Sequence, residues 1–245
     1  MSALTGRGAT SNPTGRFERL TVDLDPEPPD PDDPDGSRPA PTECYRDTSK
    51  SILAENDSPD VPMDVTLNPY RGCEHGCIYC YARPYHEYLG LSAGVDFERK
   101  IFVKDRAPEL LRAELMAAAW TPKYIGLSGV TDPYQPVERG FQLTRRCLEV
   151  LAEFRNPVAV ITKNHLVTRD IDVLQSLAAD EAAQVFVSIT TLDERLARLM
   201  EPRASAPARR LDAVRRLAAA GVPVGVMVAP IIPGLTDHEV PAILD

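Results

Sequence analysis

Three cysteines are crowded into eight residues of this 245-residue chain. Cys73, Cys77 and Cys80 form a C-x3-C-x2-C motif within Asn68-Pro69-Tyr70-Arg71-Gly72-Cys73-Glu74-His75-Gly76-Cys77-Ile78-Tyr79-Cys80-Tyr81, leaving Cys44 and Cys147 outside it. An odd total with one tight group makes a poor disulfide framework and a good metal-binding loop. Three soft, anionic thiolates on one loop can hold three corners of an iron–sulfur cubane and leave a fourth iron without a protein ligand. Gly72 and Gly76 let the backbone wind close to such a cluster, where a Cβ would crowd it. A structural zinc site would need a fourth ligand from His75, His86 or Cys44, none at a usual paired spacing. An electron-transfer ferredoxin needs a fourth cysteine, typically followed by proline, and none fits.

Around this loop, short apolar runs alternate with helical segments. Strands are expected at Val65–Leu67, Ile101–Val103, Tyr124–Leu127, Val158–Ile161, Val185–Ile189 and Val222–Val228. Helices are expected at Ala107–Ala119, Glu138–Phe154, Asp170–Ala179 and Ala206–Ala220, the last stopped by Gly221. Leu143, Cys147, Val150, Leu151 and Phe154 lie at helical spacing, as on a helix covering a sheet, and Cys147 reads as core. Repeated strand–helix units imply a parallel sheet with helices outside, an open α/β sheet or a (β/α) barrel, over residues 61–245. The chain stops at Ile243-Leu244-Asp245 inside an apparent helix from Thr236, so further residues are expected beyond it.

Residues 1–60 read as an extension. Asp23–Pro41 is almost entirely Asp, Glu, Pro, Gly and Ser, too poor in apolar surface to offset ordering entropy; disorder is expected there, as a solvated linker rather than an interaction tail. The chain opens without a charged and then apolar leader, and the Pro-broken run Val222–Ile232 is too short to cross a bilayer. A cytoplasmic protein is expected. The formal charge of −9 argues against a nonspecific polyanion binder but leaves room for one local basic groove.

With aromatic Tyr79 just before its last cysteine, the cysteine motif resembles the signature of the radical S-adenosylmethionine (SAM) superfamily. The resemblance implies a partial (β/α)6, TIM-like barrel, a [4Fe–4S] cluster on Cys73, Cys77 and Cys80, and SAM chelating the open iron. It further implies an electron donor such as flavodoxin or ferredoxin, cleavage of SAM to a 5′-deoxyadenosyl radical, and hydrogen abstraction from a substrate. By the same resemblance Tyr79 lies against the adenine. Where members usually carry a Gly-Gly-Glu-like segment for the SAM amino group, this chain has Ser128-Gly129-Val130-Thr131 followed by Asp132. Ser188 and Arg203 match the superfamily's ribose and carboxylate contacts, Lys163 meets substrate or SAM carboxylate, and Ala229–Asp237 resembles the fifth-strand region that packs on adenine. Arg209, Arg210, His165 and His238 read as surface groups. The string Thr131-Asp132-Pro133-Tyr134-Gln135-Pro136-Val137-Glu138 is similar to the branch grouped with spore photoproduct lyase, which brings nucleic acid in as a possible partner. No cysteine lies between Ser128 and Thr131 to return hydrogen to a product radical, which sets the chain apart from the repair reaction itself. A non-catalytic Fe–S redox-sensing or electron-transfer protein is the alternative.

Overall fold

The computed structural model describes residues 6–17, 41–56 and 62–245; most of the acidic stretch expected to be disordered lies outside them. The expected boundary near residue 60 does not separate ordered elements, because residues 41–56 carry two strands, β1 (Glu43–Arg46) and β2 (Leu53–Glu55).

β2 pairs antiparallel with β3 (Val65–Leu67), which opens a run of five parallel strands. In spatial order these are β3, β6 (Ile125–Leu127), β7 (Val158–Thr162), β8 (Ala183–Ser188) and β9 (Val224–Met227). Such strands are covered on both faces and so read as nearly continuous apolar runs. Val158, Ala159 and Val160 of β7 are fully buried, and Val185 and Val187 of β8 face the same core. The sheet is open among the described residues, with β2 and β9 at its edges: a partial TIM-like α/β fold with no closed barrel.

Ile101–Val103, expected as a barrel strand, is not part of this sheet. It belongs to β5 (Lys100–Val103), which pairs parallel with β1 and antiparallel with β4 (Tyr70–Arg71). The physical reason lies in the cysteine loop. Tyr70 and Arg71 lead directly into Gly72 and Cys73, and β5 supplies the backbone partner that fixes this approach, while β3 pairs straight to β6.

Helices α1 (Val95–Arg99) and α2 (Ala107–Leu115) flank β5, and the latter packs on α4 (Leu143–Phe154). The single helix expected over Glu138–Phe154 is broken into α3 (Glu138–Phe141) and α4 by Gln142, at φ 52° and ψ 29°. The buried Glu138 carboxylate accepts the Thr144 N–H at 3.0 Å, and so satisfies an orphan donor in the first turn of α4. Leu148, Leu151 and Cys147 of α4 are completely buried against the sheet. Helices α5 (Ile171–Ala179), α6 (Glu194–Met200) and α7 (Pro207–Ala219) complete the crossovers, and α8 (Val240–Leu244) ends the chain. No helix among the described residues is long and apolar enough to cross a membrane.

Candidate active site

All five parallel strands point the same way, so the residues after each gather along one edge, where α/β folds bind their ligands. The cysteine loop closes over this edge from β4. Gly72 has φ 79°, and a Cβ there would fall 3.0 Å from both His86 Cε1 and the Phe97 carbonyl oxygen. Gly76 has φ 66°, and its Cβ would meet Arg7 Cβ at 2.9 Å. Both positions therefore need glycine for conformation and for room. Cys73 N–H donates to the Phe97 carbonyl at 2.9 Å, and Arg83 donates to the Cys77 carbonyl at 2.9 Å. Arg83 itself pairs with fully buried Glu98 at 2.5 Å, and Glu98 also accepts the N–H groups of Gly8 and Ala9 at 3.1 and 2.8 Å. The chain's first described segment thus packs on the loop.

From below, Thr131 Oγ1 and Gln135 Nε2 both donate to the Gly72 carbonyl, at 2.7 and 3.1 Å. Gln135 Oε1 accepts the Glu74 N–H at 2.9 Å, and Glu74 accepts from Arg203 Nη1 at 2.8 Å and from Val137 N–H at 2.7 Å. Between the first two cysteines, His75 is buried with Nδ1 3.4 Å from Asp132 Oδ2 and Nε2 3.2 Å from Asn164 Nδ2. Asp132 also accepts from Thr162 Oγ1 at 2.7 Å, Lys163 N–H at 2.8 Å and Tyr134 N–H at 2.9 Å. Burial opposes ionisation of Asp132, but the nearby His75 and these donors outweigh it and hold the carboxyl below its ordinary range. Ser128 Oγ turns back to the Thr131 carbonyl at 3.2 Å, and the Gly129 carbonyl accepts from Tyr81 at 2.5 Å.

A second group converges beside the loop. Glu201, just beyond α6, carries a side chain with no solvent exposure and accepts from Tyr79, Arg210 and Thr190 Oγ1, the last at 2.8 Å. Lys163 Nζ stands 3.4 Å from Glu201 Oε1, donates to Ser188 Oγ at 2.8 Å and sits 5.6 Å from the Tyr79 ring centroid. Burial pushes the Glu201 carboxyl up, but Arg210 and Lys163 overcome this and bring it to about 2.

The structure thus brings Tyr79, Lys163 and Ser188 together and puts Thr131 and Asp132 beneath the cysteine loop. Ser128 and Gly129 lie beside Tyr81, and Arg203 reaches Glu74 at the outer side. Glu201, Arg210, His75, Glu74 and Gln135 were not picked out from sequence as site residues. Arg210 corrects an expectation: it is 1% exposed, not solvated. The signal was present, because Pro207, Arg210, Ala213 and Leu217 form the buried stripe of α7, and an arginine in that register must find an anion. His165 is likewise buried, donating from Nε2 to Asp212 at 2.6 Å.

The cysteines suit a cluster by their chemistry. Burial is the largest influence pushing each thiol up, with Cys77 at about 12 and Cys73 also raised by Asp132 and by its two partner cysteines. Three such groups become thiolates together only against a polycationic centre such as cluster iron.

The Uncharacterized protein Rv2578c of Mycobacterium tuberculosis is 38% identical over 177 residues, which are 72% of this chain and 52% of that protein. The chain therefore spans about half the length of such relatives. The Radical SAM Nalpha-GlyT isomerase of Pseudomonas phage M6 is 24% identical over 200 residues, 80% of this chain and 39% of the isomerase. Spore photoproduct lyase complexed with dinucleoside spore photoproduct superposes with a TM-score of 0.60 at 18% identity, over 82% of this chain and 58% of the lyase, a likeness of fold. The family model described as Radical SAM superfamily matches residues 67–245, from the end of β3 through every parallel strand after it, and the chain belongs to that superfamily.

Proposed function

We propose that Cys73, Cys77 and Cys80 carry a [4Fe–4S] cluster with one open iron, and that the chain binds SAM across the strand ends for radical chemistry on a substrate. When bound, such a cluster supplies the electron that splits SAM into methionine and a 5′-deoxyadenosyl radical. The observation that carries this reading is the meeting of Tyr79 and Lys163 at buried Glu201, with Ser188 held on Lys163, directly beside the cysteine loop.

In this reading the chain's own residues position and enclose. Glu201 fixes the Tyr79 ring for stacking and holds the Lys163 side chain beside it. Ser188, already a partner of Lys163, offers a hydroxyl to ribose. Arg203 gives Nη1 to Glu74 and is partly exposed, with the rest of its planar fork suited to a carboxylate. Thr131, Gln135 and Asp132 brace the loop, while Ser128 and Gly129 stand at the next strand end, where the Gly129 carbonyl already accepts from Tyr81. A flavodoxin- or ferredoxin-type donor supplies the electron, and a cytoplasmic location keeps the thiols reduced. A nucleic-acid substrate is the part of the reading supported by the Thr131–Glu138 string.

The test is anaerobic reconstitution with iron and sulfide, reduction, and addition of SAM. Release of 5′-deoxyadenosine supports the proposal, with Cys77→Ala abolishing both cluster loading and release because two thiolates cannot hold a cubane. A reducible cluster indifferent to SAM would instead favour a redox sensor, and a fully loaded Cys77→Ala protein would contradict the ligand assignment.

A further inference from the structure

On the same edge of the sheet, outside the SAM-binding group, lies a polar cavity of about 350 Å³. Its wall carries four guanidinium groups, from Arg139, Arg169, Arg209 and Arg216, and no carboxylate among its lining residues. Glu138 and Asp170 offset Arg169 from behind, and Asp212 lies close to Arg209 and Arg216, so the protein's own carboxylates hold the cluster together while the cavity wall itself stays cationic.

The arginines are not equivalent. Arg169 is committed to the protein, donating to Glu138 and Asp170 at 2.7 Å each. Arg209 is aimed by a relay: its Nη2 donates to His165 Nδ1 at 2.9 Å, and His165 Nε2 donates in turn to Asp212 at 2.6 Å. Asp212 therefore fixes the tautomer of His165, and His165 holds one edge of Arg209 while the other edge meets no partner among the described residues. Arg139 and Arg216 are exposed and complete the ring from α3 and from the next turns of α7. The inner wall is Asn164, whose amide reaches His75 at 3.2 Å, so this cavity and the cysteine loop share a side chain.

We infer that this cavity is a phosphate-binding site which anchors the substrate through its phosphate groups beside the radical centre. Planar guanidinium forks match tetrahedral phosphate oxygens bidentately, and a volume of this size admits a phosphate with its attached sugar. As an anchor for substrate the inference rests on the proposed radical chemistry; as an anion site it stands on the arginines alone. The ligand chemistry is phosphate ester, with two sources: the phosphodiesters of a nucleic-acid strand, or a phosphomonoester on a small molecule.

Binding is measured without SAM turnover, so its failure is separate from failure of 5′-deoxyadenosine release by the wild-type protein. Fluorescence anisotropy with a labelled oligothymidylate probes the diester, and calorimetry with thymidine monophosphate probes the monoester. The expected result is that R209A/R216A weakens binding of the responding probe by roughly tenfold or more. For the oligonucleotide it should also lower the slope of log affinity against log salt by roughly 1.4, at about 0.7 per lost phosphate contact on a single strand. R209K/R216K should recover part of the loss, and Arg215→Ala, outside the cavity wall, should change nothing. Unchanged circular dichroism of the double variant excludes unfolding as the cause. Binding of the oligonucleotide alone assigns a strand, and binding of the monophosphate alone assigns a small phosphomonoester. No binding of either probe, or binding equal in wild type and R209A/R216A, overturns the site.

Discussion

Glu201 is the residue on which the site's polar groups meet, and its role is separable from that of its neighbours. Replacing it with alanine leaves Arg210 buried and unpaired, which costs about 3–5 kcal/mol. Glu201→Gln keeps the shape and removes the charge, and is expected to weaken SAM binding roughly tenfold, the effect of one lost charge-assisted contact at about 1.4 kcal/mol. Equilibrium binding of SAM to reconstituted protein checks this; an unchanged affinity would remove Glu201 from the positioning role. The pH dependence has a definite sign. The folded carboxyl sits at about 2, below its ordinary value of 4.5, so its stabilising contribution is complete above about pH 4.5 and is lost as pH falls towards 2. Denaturant melts of wild type should therefore lose stability across that window more steeply than melts of Glu201→Gln. At this scale the sequence was readable where a residue type names its own chemistry. Strand ends and a spacing pick out the three cysteines, Tyr79, Lys163 and Ser188, and the fold brings the last three together. Glu201 and Arg210 were not visible, because nothing in a linear pattern pairs two charges nine residues apart until a turn brings them together.

The elements show where periodicity suffices and where it does not. The parallel strands appear within a few residues of their sequence limits, since β-branched runs bounded by turns have few other uses in a sheet covered on both faces. The break at Gln142 was hidden because Glu138–Phe154 keeps a helical pattern throughout. It is set by a side chain: Glu138, fully buried, accepts from Tyr70, from Thr144 N–H and from Arg169. Glu138→Ala is expected to destabilise the fold by about 1–3 kcal/mol, measured as a shift in urea midpoint, because the buried Tyr70 hydroxyl and Thr144 N–H lose their acceptor while Arg169 keeps Asp170. The core face of α4 should respond through packing instead, with Leu151→Ala costing about 2–5 kcal/mol, since Leu151 is completely buried. Equal stability of either variant with wild type would contradict these assignments. β5 was legible as a strand but not in its placement, because register with β4 is a tertiary fact that apolar alternation does not encode.

Across the whole molecule, an open sheet gathers its chemistry at one edge, and a loop held from several sides closes over it. Residues 6–17, read from sequence as part of an extension, belong to that closure: Arg7 contacts Glu74 at 3.6 Å and Gly8 and Ala9 donate to Glu98. Composition made the acidic tract after them obvious and concealed the short glycine-rich segment before it. Deleting residues 1–17 is expected to leave cluster loading possible but to speed bleaching of the visible chromophore in air, because the outer side of the cysteine loop is uncovered. Bleaching at the wild-type rate would mean that the segment does not shield the loop.

In the proposed cluster, one iron corner carries no side-chain ligand. The most direct test is electron–nuclear double resonance on the reduced, reconstituted protein with SAM labelled at its amino nitrogen with nitrogen-15. A nitrogen-15 coupling that appears with labelled SAM and is replaced by a nitrogen-14 coupling with unlabelled SAM, from the corner left open by Cys73, Cys77 and Cys80, is the predicted result. A reduced cluster whose spectrum shows no such coupling and does not change when SAM is added would contradict it.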